Sequence, residues 1–416
     1  MANDIKKQSS VFTKEALRIL ENTLVMTKKV HTDYNSEFSQ KVNGMKKGDT
    51  VSVRRPADFT VRTGATRSNQ DVEEGSTTIT MNSQIGVDVG FTSKEMTTDI
   101  DKSGVRDRVL KPAMIQLADY IDRQIMDLYK YVPTWQGTPG QTIDAFTDFA
   151  KGPQRMDELS VPTERCGVLS PADHWGLLGG QAALQASDKL VQDAYTMARL
   201  GNIGGVDTYS AQNVPTHTVG AHGGTPLVNG ASQNDTYATA KDTSNFTSSL
   251  VTDGWTASAT VLKAGDVFTI AGVYAVNPVS KAKLPFLRQF TVTSDVTADG
   301  SGNATLTVSP AMISSGAQAT IDSTPADNAA ITVMGAASTG YRQNMIFHKN
   351  AFAFVSAPME MPASAYGGTR ESYKGISLRL IPGYDHTNDI ESWRFDVLFG
   401  TKAIDPRLAC RLSGTA

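Results

Sequence analysis

Apolar positions along this chain change their period several times, and each change marks a different kind of element. Over 114–128 they follow helical spacing: Met114, Leu117, Ala118, Ile121, Ile125 and Leu128 keep the i, i+3, i+4 order of one buried stripe. The spacing predicts a long helix within 99–131. Pro112 stands ahead of the stripe, so it either occupies the first turn or kinks a longer helix begun near Asp101. A second amphipathic helix is predicted over 13–30 from Leu17, Leu20, Leu24 and Val25, with Thr13 as its N-cap.

Between these helices the period drops to two. DTVSVRRP runs out and TTITMNSQIGVDVGF returns, which predicts a long two-stranded excursion over 49–90 with a polar tip at 58–75. Such a hairpin buries little of itself and is expected to rest on something else. The tip carries Arg62 and Arg67, then Asp71, Glu73 and Glu74. Charge of both signs suits docking on an identical subunit, although a solvated loop would carry it too.

From 132 to 222 the pattern is mixed. A strand-like RCGVLS leads into PADHWGLLGG, with Ser170 and Pro171 as a helix start, and a further helix is predicted in SDKLVQDAYTMARL. GNIGGVDTYSAQNVP then reads as turn, strand, turn. Over 223–339 the composition breaks: 13 charged residues, eight Asp and five Lys/Arg, and no Glu. Strand signals recur in ASATVLKAGDVFTIAGVYAV, LRQFTVTSD, NATLTVSP and AAITVMGA, with turns expected at Asp253-Gly254 and Asp299-Gly300. This predicts an all-β insert, a small barrel or sandwich, inside a host domain. The host resumes at YRQNMIFHKNAFAFVSAP and ends in strands, GISLRLIPGYD and DIESWRFDVLFGTKAIDP.

Composition narrows the function. Of 416 residues 40% are hydrophobic, enough for a real core, and the net charge of −3 lacks the basic bias of a dedicated nucleic-acid binder. The first 48 residues are locally basic, with nine Lys/Arg against five Asp/Glu. That is either a solvated helix face or an arm that clasps a neighbour. Two cysteines, Cys166 and Cys410, make neither a disulfide scaffold nor a four-cysteine zinc site, and a reducing compartment is expected. No secretory signal and no membrane span is expected.

Catalytic signatures are missing. Gly44 and Gly48 are four apart, but Asp49 stands where a phosphate-binding loop needs Lys. Neither a nucleophile elbow nor a zinc-protease or deaminase pattern occurs. His174, His217 and His222 suggest a metal site only weakly, and Cys166 reads as a small buried hydrophobe. No catalytic residue, metal or cofactor is expected.

Three stretches carry a family resemblance: LSPADHWGLLG with GNIGGVDTYSAQNVP, then LKAGDVFTIAGVYAVNP with FTVTSDVTADGSGNATLTVSP, and finally YKGISLRLIPGYDHTNDIESWRFDVLFGTKAIDPRLACRL. Together, and in this order, they resemble the coat proteins of short-tailed phages of the P-twenty-two type, within the HK-ninety-seven-like (Johnson) capsid fold. The resemblance implies an α+β chain with an N-arm at 1–48, an E-loop and flanking strands at 49–98, and a peripheral domain with a spine helix at 99–164. It further implies an apical domain at 165–222, an inserted β-barrel at 223–339, and a return through the apical and peripheral domains at 340–416. The implied role is a major capsid protein in the virion, assembled in the host bacterial cytoplasm with a scaffolding protein into an icosahedral procapsid that matures around double-stranded DNA. Identical coat subunits in hexamers and pentamers, scaffolding protein, a portal complex and non-specifically contacted DNA are the implied partners. Arg62, Arg67, Asp71, Glu73 and Glu74 are then the expected intersubunit contacts. No Lys lies between Lys47 and Lys94, so cross-linking through an E-loop lysine is not expected. The alternatives are a phage decoration or adhesin-type surface protein, motivated by the Thr/Gly-rich insert, and, last, a soluble enzyme.

Overall fold

The computed structural model describes residues 13–20, 24–35, 38, 41–42, 45–46, 49–55, 57–67, 69–93, 109–182, 201–362 and 367–415. The helix expected at 187–200 and the start of the spine near Asp101 lie outside these residues. The chain divides into two compact units: one of 1–51, 79–125 and 353–402, the other of 52–78, 126–352 and 403–416.

In the first unit the spine helix Lys111–Met126 buries the expected stripe, Met114, Leu117, Ala118, Ile121 and Ile125. Pro112 is the second residue of this α-helical span, which continues directly from the π-helical residues 109–110. One residue on the buried side is charged. Asp122 accepts hydrogen bonds from the backbone N–H groups of Val25 (2.7 Å), Thr27 (3.0 Å) and Met26 (3.3 Å), and from the Thr27 hydroxyl (2.7 Å). Burial pushes its carboxyl above the ordinary range against the pull of those bonds. The N-terminal segment corrects the expectation of one helix over 13–30. Residues 13–20 are helical, with Thr13 already inside the helix, but 24–30 form turns. Leu24, Met26 and Val30 are still buried, since turns around the Asp122 clamp face them inward.

The sheet of this unit runs Phe352–Ala357, Ile390–Ala403, Ile376–Asp385, Thr369–Tyr373. Ser83–Thr92 pairs antiparallel with Ile390–Ala403, from Ser83 opposite Phe399 to Thr92 opposite Ile390. The return limb of the excursion is therefore two strands. Gly75–Thr80 pairs with Thr50–Arg55, while Ser83–Thr92 belongs to a different sheet.

In the second unit a six-stranded mixed sheet has the order Trp135–Gln136, Ala409–Leu412, Asn344–His348, Arg165–Leu169, Val206–Ser210, Asn202–Ile203. The helices Phe146–Glu158 and Pro171–Ala182 bury Phe149, Met156 and Leu177 in one cluster with Leu169, Ile346 and Leu412. Ser170 caps the second helix. Its hydroxyl accepts from the Asp173 N–H, and Pro171 takes the first position. The last two strands of that sheet turn on Gly204-Gly205, both at positive φ, as a two-residue hairpin turn demands.

The insert is a barrel. Its antiparallel sheet runs Gly224–Val228, Ser248–Trp255, Ala304–Ser309, Lys283–Val292, Val267–Val276, Ile331–Val333. A bridge from Leu227 to Ala330, with Val228 N–H on the Ala329 carbonyl at 3.0 Å, joins the two edges. Leu250, Val261, Phe268, Ile270, Phe290, Val292, Leu306 and Val308 fill it with no measurable exposure. Each such side chain contributes about 1.5–3 kcal/mol. The turn expected at Asp253-Gly254 is instead inside Ser248–Trp255. The register shifts between Gly224 and Leu227 opposite, and Gly254, at φ 73°, relieves the crowding: a Cβ there would lie 2.3 Å from the Thr225 carbonyl oxygen. Asp299-Gly300 does turn, with the Asp299 carboxylate accepting from Ser301 and Asn303 N–H groups.

Candidate assembly interface

Beyond the paired strands Thr50–Arg55 and Gly75–Thr80 the excursion continues as two limbs without a regular ladder. Gln70 stands in for one: its amide oxygen accepts from Thr60 N–H at 2.8 Å and its amide nitrogen donates to the Thr60 carbonyl at 2.6 Å. All five charged residues expected at the contact are exposed. Arg62 folds back on the Gly64 and Thr66 carbonyls, Arg67 donates to Asn69 at 2.8 Å, and Glu74 faces Arg54 at 3.5 Å. Among the described residues Asp71 and Glu73 have no partner, and Arg67 and Glu74 are not brought together within the chain.

The same limbs carry three exposed apolar side chains that the charge pattern does not announce. Phe59 is 54% exposed, Val61 94% and Val72 67%. They lie in a segment that has no partner strand to cover them, which is why they stay in solvent. Two aromatic residues of the helices Phe146–Glu158 and Pro171–Ala182, Phe146 and Trp175, are also exposed.

A separate, buried polar junction joins the barrel to the strand Thr216–Thr218 and the segment after the spine helix. The Tyr129 hydroxyl meets His217 Nδ1 at 2.9 Å, and His217 Nε2 meets Asp266 Oδ1 at 2.7 Å. The other Asp266 oxygen accepts from Lys263 N–H at 2.7 Å and Gly220 N–H at 3.0 Å. Arg411 donates to the Gly265 carbonyl at 2.7 Å and lies 5.2 Å from the Tyr129 ring centroid. Burial pushes the Tyr129 phenol up to about 12 and the Arg411 guanidinium down to about 10. A tyrosine–histidine–aspartate line can relay a proton, but all three are buried. What this line does here is fasten strand Thr216–Thr218 to the turn at 263–266. His222 is engaged elsewhere, its Nε2 donating to the Gly335 carbonyl at 3.2 Å, and His174, whose pKa burial lowers, is on the helix Pro171–Ala182. Among the described residues no three His, Cys, Asp or Glu side chains group to hold a metal. Cys410 is buried, and desolvation pushes its thiol up to about 12; Cys166 is partly exposed on Arg165–Leu169. Among the described residues no helix is long and apolar enough to cross a membrane.

Comparison with known proteins decides what such a molecule is. A family profile described as P22 coat protein, gene protein 5, matches residues 1–414. The chain belongs to the P22 coat protein family. This coat protein is a major capsid protein with the HK-ninety-seven-like fold, and it is not an enzyme. The decoration and adhesin alternative falls with that finding. Its place is the virion, in a multimeric shell of identical subunits. No curated protein sequence matches the coat protein. Among solved structures it is similar to "Mycobacterium phage Che8", at 12% identity and a TM-score of 0.49, covering 93% of this chain and 90% of that one. "Capsid of Ralstonia phage GP4" matches at 8% identity and a TM-score of 0.41, covering 94% and 89%. The "CUS-3 coat protein I-domain" matches at 25% identity and a TM-score of 0.19, covering 26% of this chain and 94% of that one. The overlays at these scores carry no argument; the family match over the whole chain does.

Proposed function

We propose that this coat protein forms hexamers and pentamers that close, with a scaffolding protein and a portal complex, into an icosahedral procapsid in the host bacterial cytoplasm. The shell then matures around double-stranded DNA that it touches without sequence preference. A net charge of −3 suits such a container, because weak wall–DNA attraction lets DNA pack and leave.

The excursion tip at 57–74 makes the principal contact with the next subunit. One observation carries this reading: Phe59, Val61 and Val72 stand in solvent on limbs whose backbone has no partner strand, rimmed by Arg62, Arg67, Asp71, Glu73 and Glu74. Apolar side chains at the centre supply the contact energy, and the charged rim sets register and rejects wrong partners. Coat protein carrying Phe59→Asp and Val61→Asp tests it. Both positions face solvent, so the subunit keeps its melting temperature, while sedimentation with scaffolding protein shows no shells. Shells at the unsubstituted yield would refute the reading.

A further inference from the structure

We infer that the inserted barrel aims the E-loop: its segment 237–246 is a seat that holds the base of the excursion at a fixed angle, both in the free subunit and in the shell. The inference rests on the tip being an intersubunit contact. It adds a function for the insert that acts within one subunit.

The seat is part of the rigid barrel. It joins strand Gly224–Val228 to strand Ser248–Trp255 and begins with the helical turn Tyr237–Ala240, capped by Thr236. Ala240 and Phe246 are buried with Ala311 and Ile313. Thr243 braces the turn from inside. Its hydroxyl donates to the Ala240 carbonyl at 2.7 Å and accepts from Thr247 N–H at 2.8 Å. Ser309 donates to the Asn245 carbonyl at 2.9 Å.

Both limbs of the excursion are keyed into it. On the returning limb Ser76 donates to Asp242 at 3.0 Å and Thr77 donates to the Ser244 carbonyl at 2.9 Å. Gly75 lets the backbones touch: a Cβ there would lie 2.8 Å from the Lys241 carbonyl oxygen and 3.1 Å from the Tyr237 hydroxyl. On the outgoing limb the Arg55 guanidinium lies 5.7 Å from the Phe246 ring centroid and reaches the Lys241 carbonyl at 3.5 Å. Farther out Asp58 faces Lys281 of the barrel at 4.0 Å.

Lever arithmetic says why a seat is needed. Nine extended residues beyond the base reach roughly 30 Å at about 3.3 Å per residue. A hinge play of about 10° at the base would then swing the tip by about 5 Å, more than the separation at which apolar atoms make contact. A two-stranded hairpin alone does not supply that stiffness. Several contacts to a packed barrel do.

The test is a tether. Ser76→Cys with Asp242→Cys places two thiols where side chains already meet. The expected result is a disulfide between them in the folded subunit, located by non-reducing peptide mapping. Oxidised subunits should close shells of the same diameter as reduced ones, at a yield within about twofold. In parallel, Arg55→Ala with Thr77→Val should leave the barrel folded, speed amide exchange over 75–80 at least tenfold, and scatter shell diameters. The seat is refuted if the folded subunit does not cross-link, or if reduced subunits close shells and oxidised ones do not. If unsubstituted protein makes no shells at all, the coat reading fails instead, and cross-linking with exchange in the subunit alone still decides whether the seat exists.

Discussion

Replacing Asp122 should release the N-terminal segment from the spine helix without unfolding the rest. Its carboxylate takes three hydrogen bonds of 3.0 Å or less, from Val25 N–H, Thr27 N–H and the Thr27 hydroxyl, and a longer one from Met26 N–H. Bonds to a charged acceptor contribute about 1.5–3 kcal/mol each, so the three short ones sum to roughly 5–9 kcal/mol gross. Keeping a carboxylate out of water costs several kcal/mol in the other direction. The net loss for Asp122→Ala is then about 3 kcal/mol, concentrated on 24–30. Because segments open locally before the whole unit does, the loss is read by hydrogen exchange rather than by global denaturation. Every 1.4 kcal/mol is a factor of ten, so amides of Val25 and Thr27 should exchange about 150-fold faster. Asp122→Asn keeps the shape but turns an N–H toward backbone N–H donors, and should fall between. Exchange at these amides within threefold of the unsubstituted protein, in a folded variant, would refute the clamp.

Three further outcomes are expected. His217→Ala leaves Asp266 Oδ1 and the Tyr129 hydroxyl buried without their partner, and should lower stability in urea by about 3–5 kcal/mol; a loss under 1 kcal/mol contradicts the junction. Burial alone would raise the Asp405 carboxyl, but Arg407, whose fork lies at 2.9 and 2.8 Å, together with Arg55 outweighs it and holds the pKa below the ordinary carboxylate value of 3.8. A depressed folded pKa contributes stability that is complete above 3.8 and fades as pH falls through the folded value. Arg407→Met should therefore move acid unfolding to higher pH, and an unmoved midpoint would count against this balance. Finally, if Arg67 and Glu74 pair across subunits, Arg67→Glu and Glu74→Arg should each reduce assembly and together restore it; additive losses sink that pairing. Arg54→Ala is the control, since Arg54 holds Glu74 within the chain.

The helix and strand elements that bury one regular face were legible in the residues. Met114 through Ile125 declares its period, and the strands of the barrel alternate or run apolar as a filled interior requires. Other features were not. Gly254 looks like a turn residue because glycine marks turns and bulges alike, and only the partner strand tells them apart. Leu24 and Val25 extend a helical pattern that the chain abandons, because Asp122 satisfies the backbone N–H groups of 25–27 in place of helical carbonyls. Asp122 itself was visible as a charge on an apolar stripe, a position that demands a partner, but the partner is about 95 residues away in sequence. At the excursion tip the charges stand out in the residues, whereas Phe59, Val61 and Val72 gain meaning only once the structure leaves them exposed.

The central claim is that this chain closes into shells through the excursion tip. The most direct test is electron microscopy of purified coat protein expressed with and without the scaffolding protein of the same phage. Uniform closed shells of tens of nanometres, in which density for 57–74 lies against a neighbouring subunit, are the expected result. A folded protein that stays a monomer or small oligomer under both conditions, or shells whose 57–74 segment touches no neighbour, would contradict it.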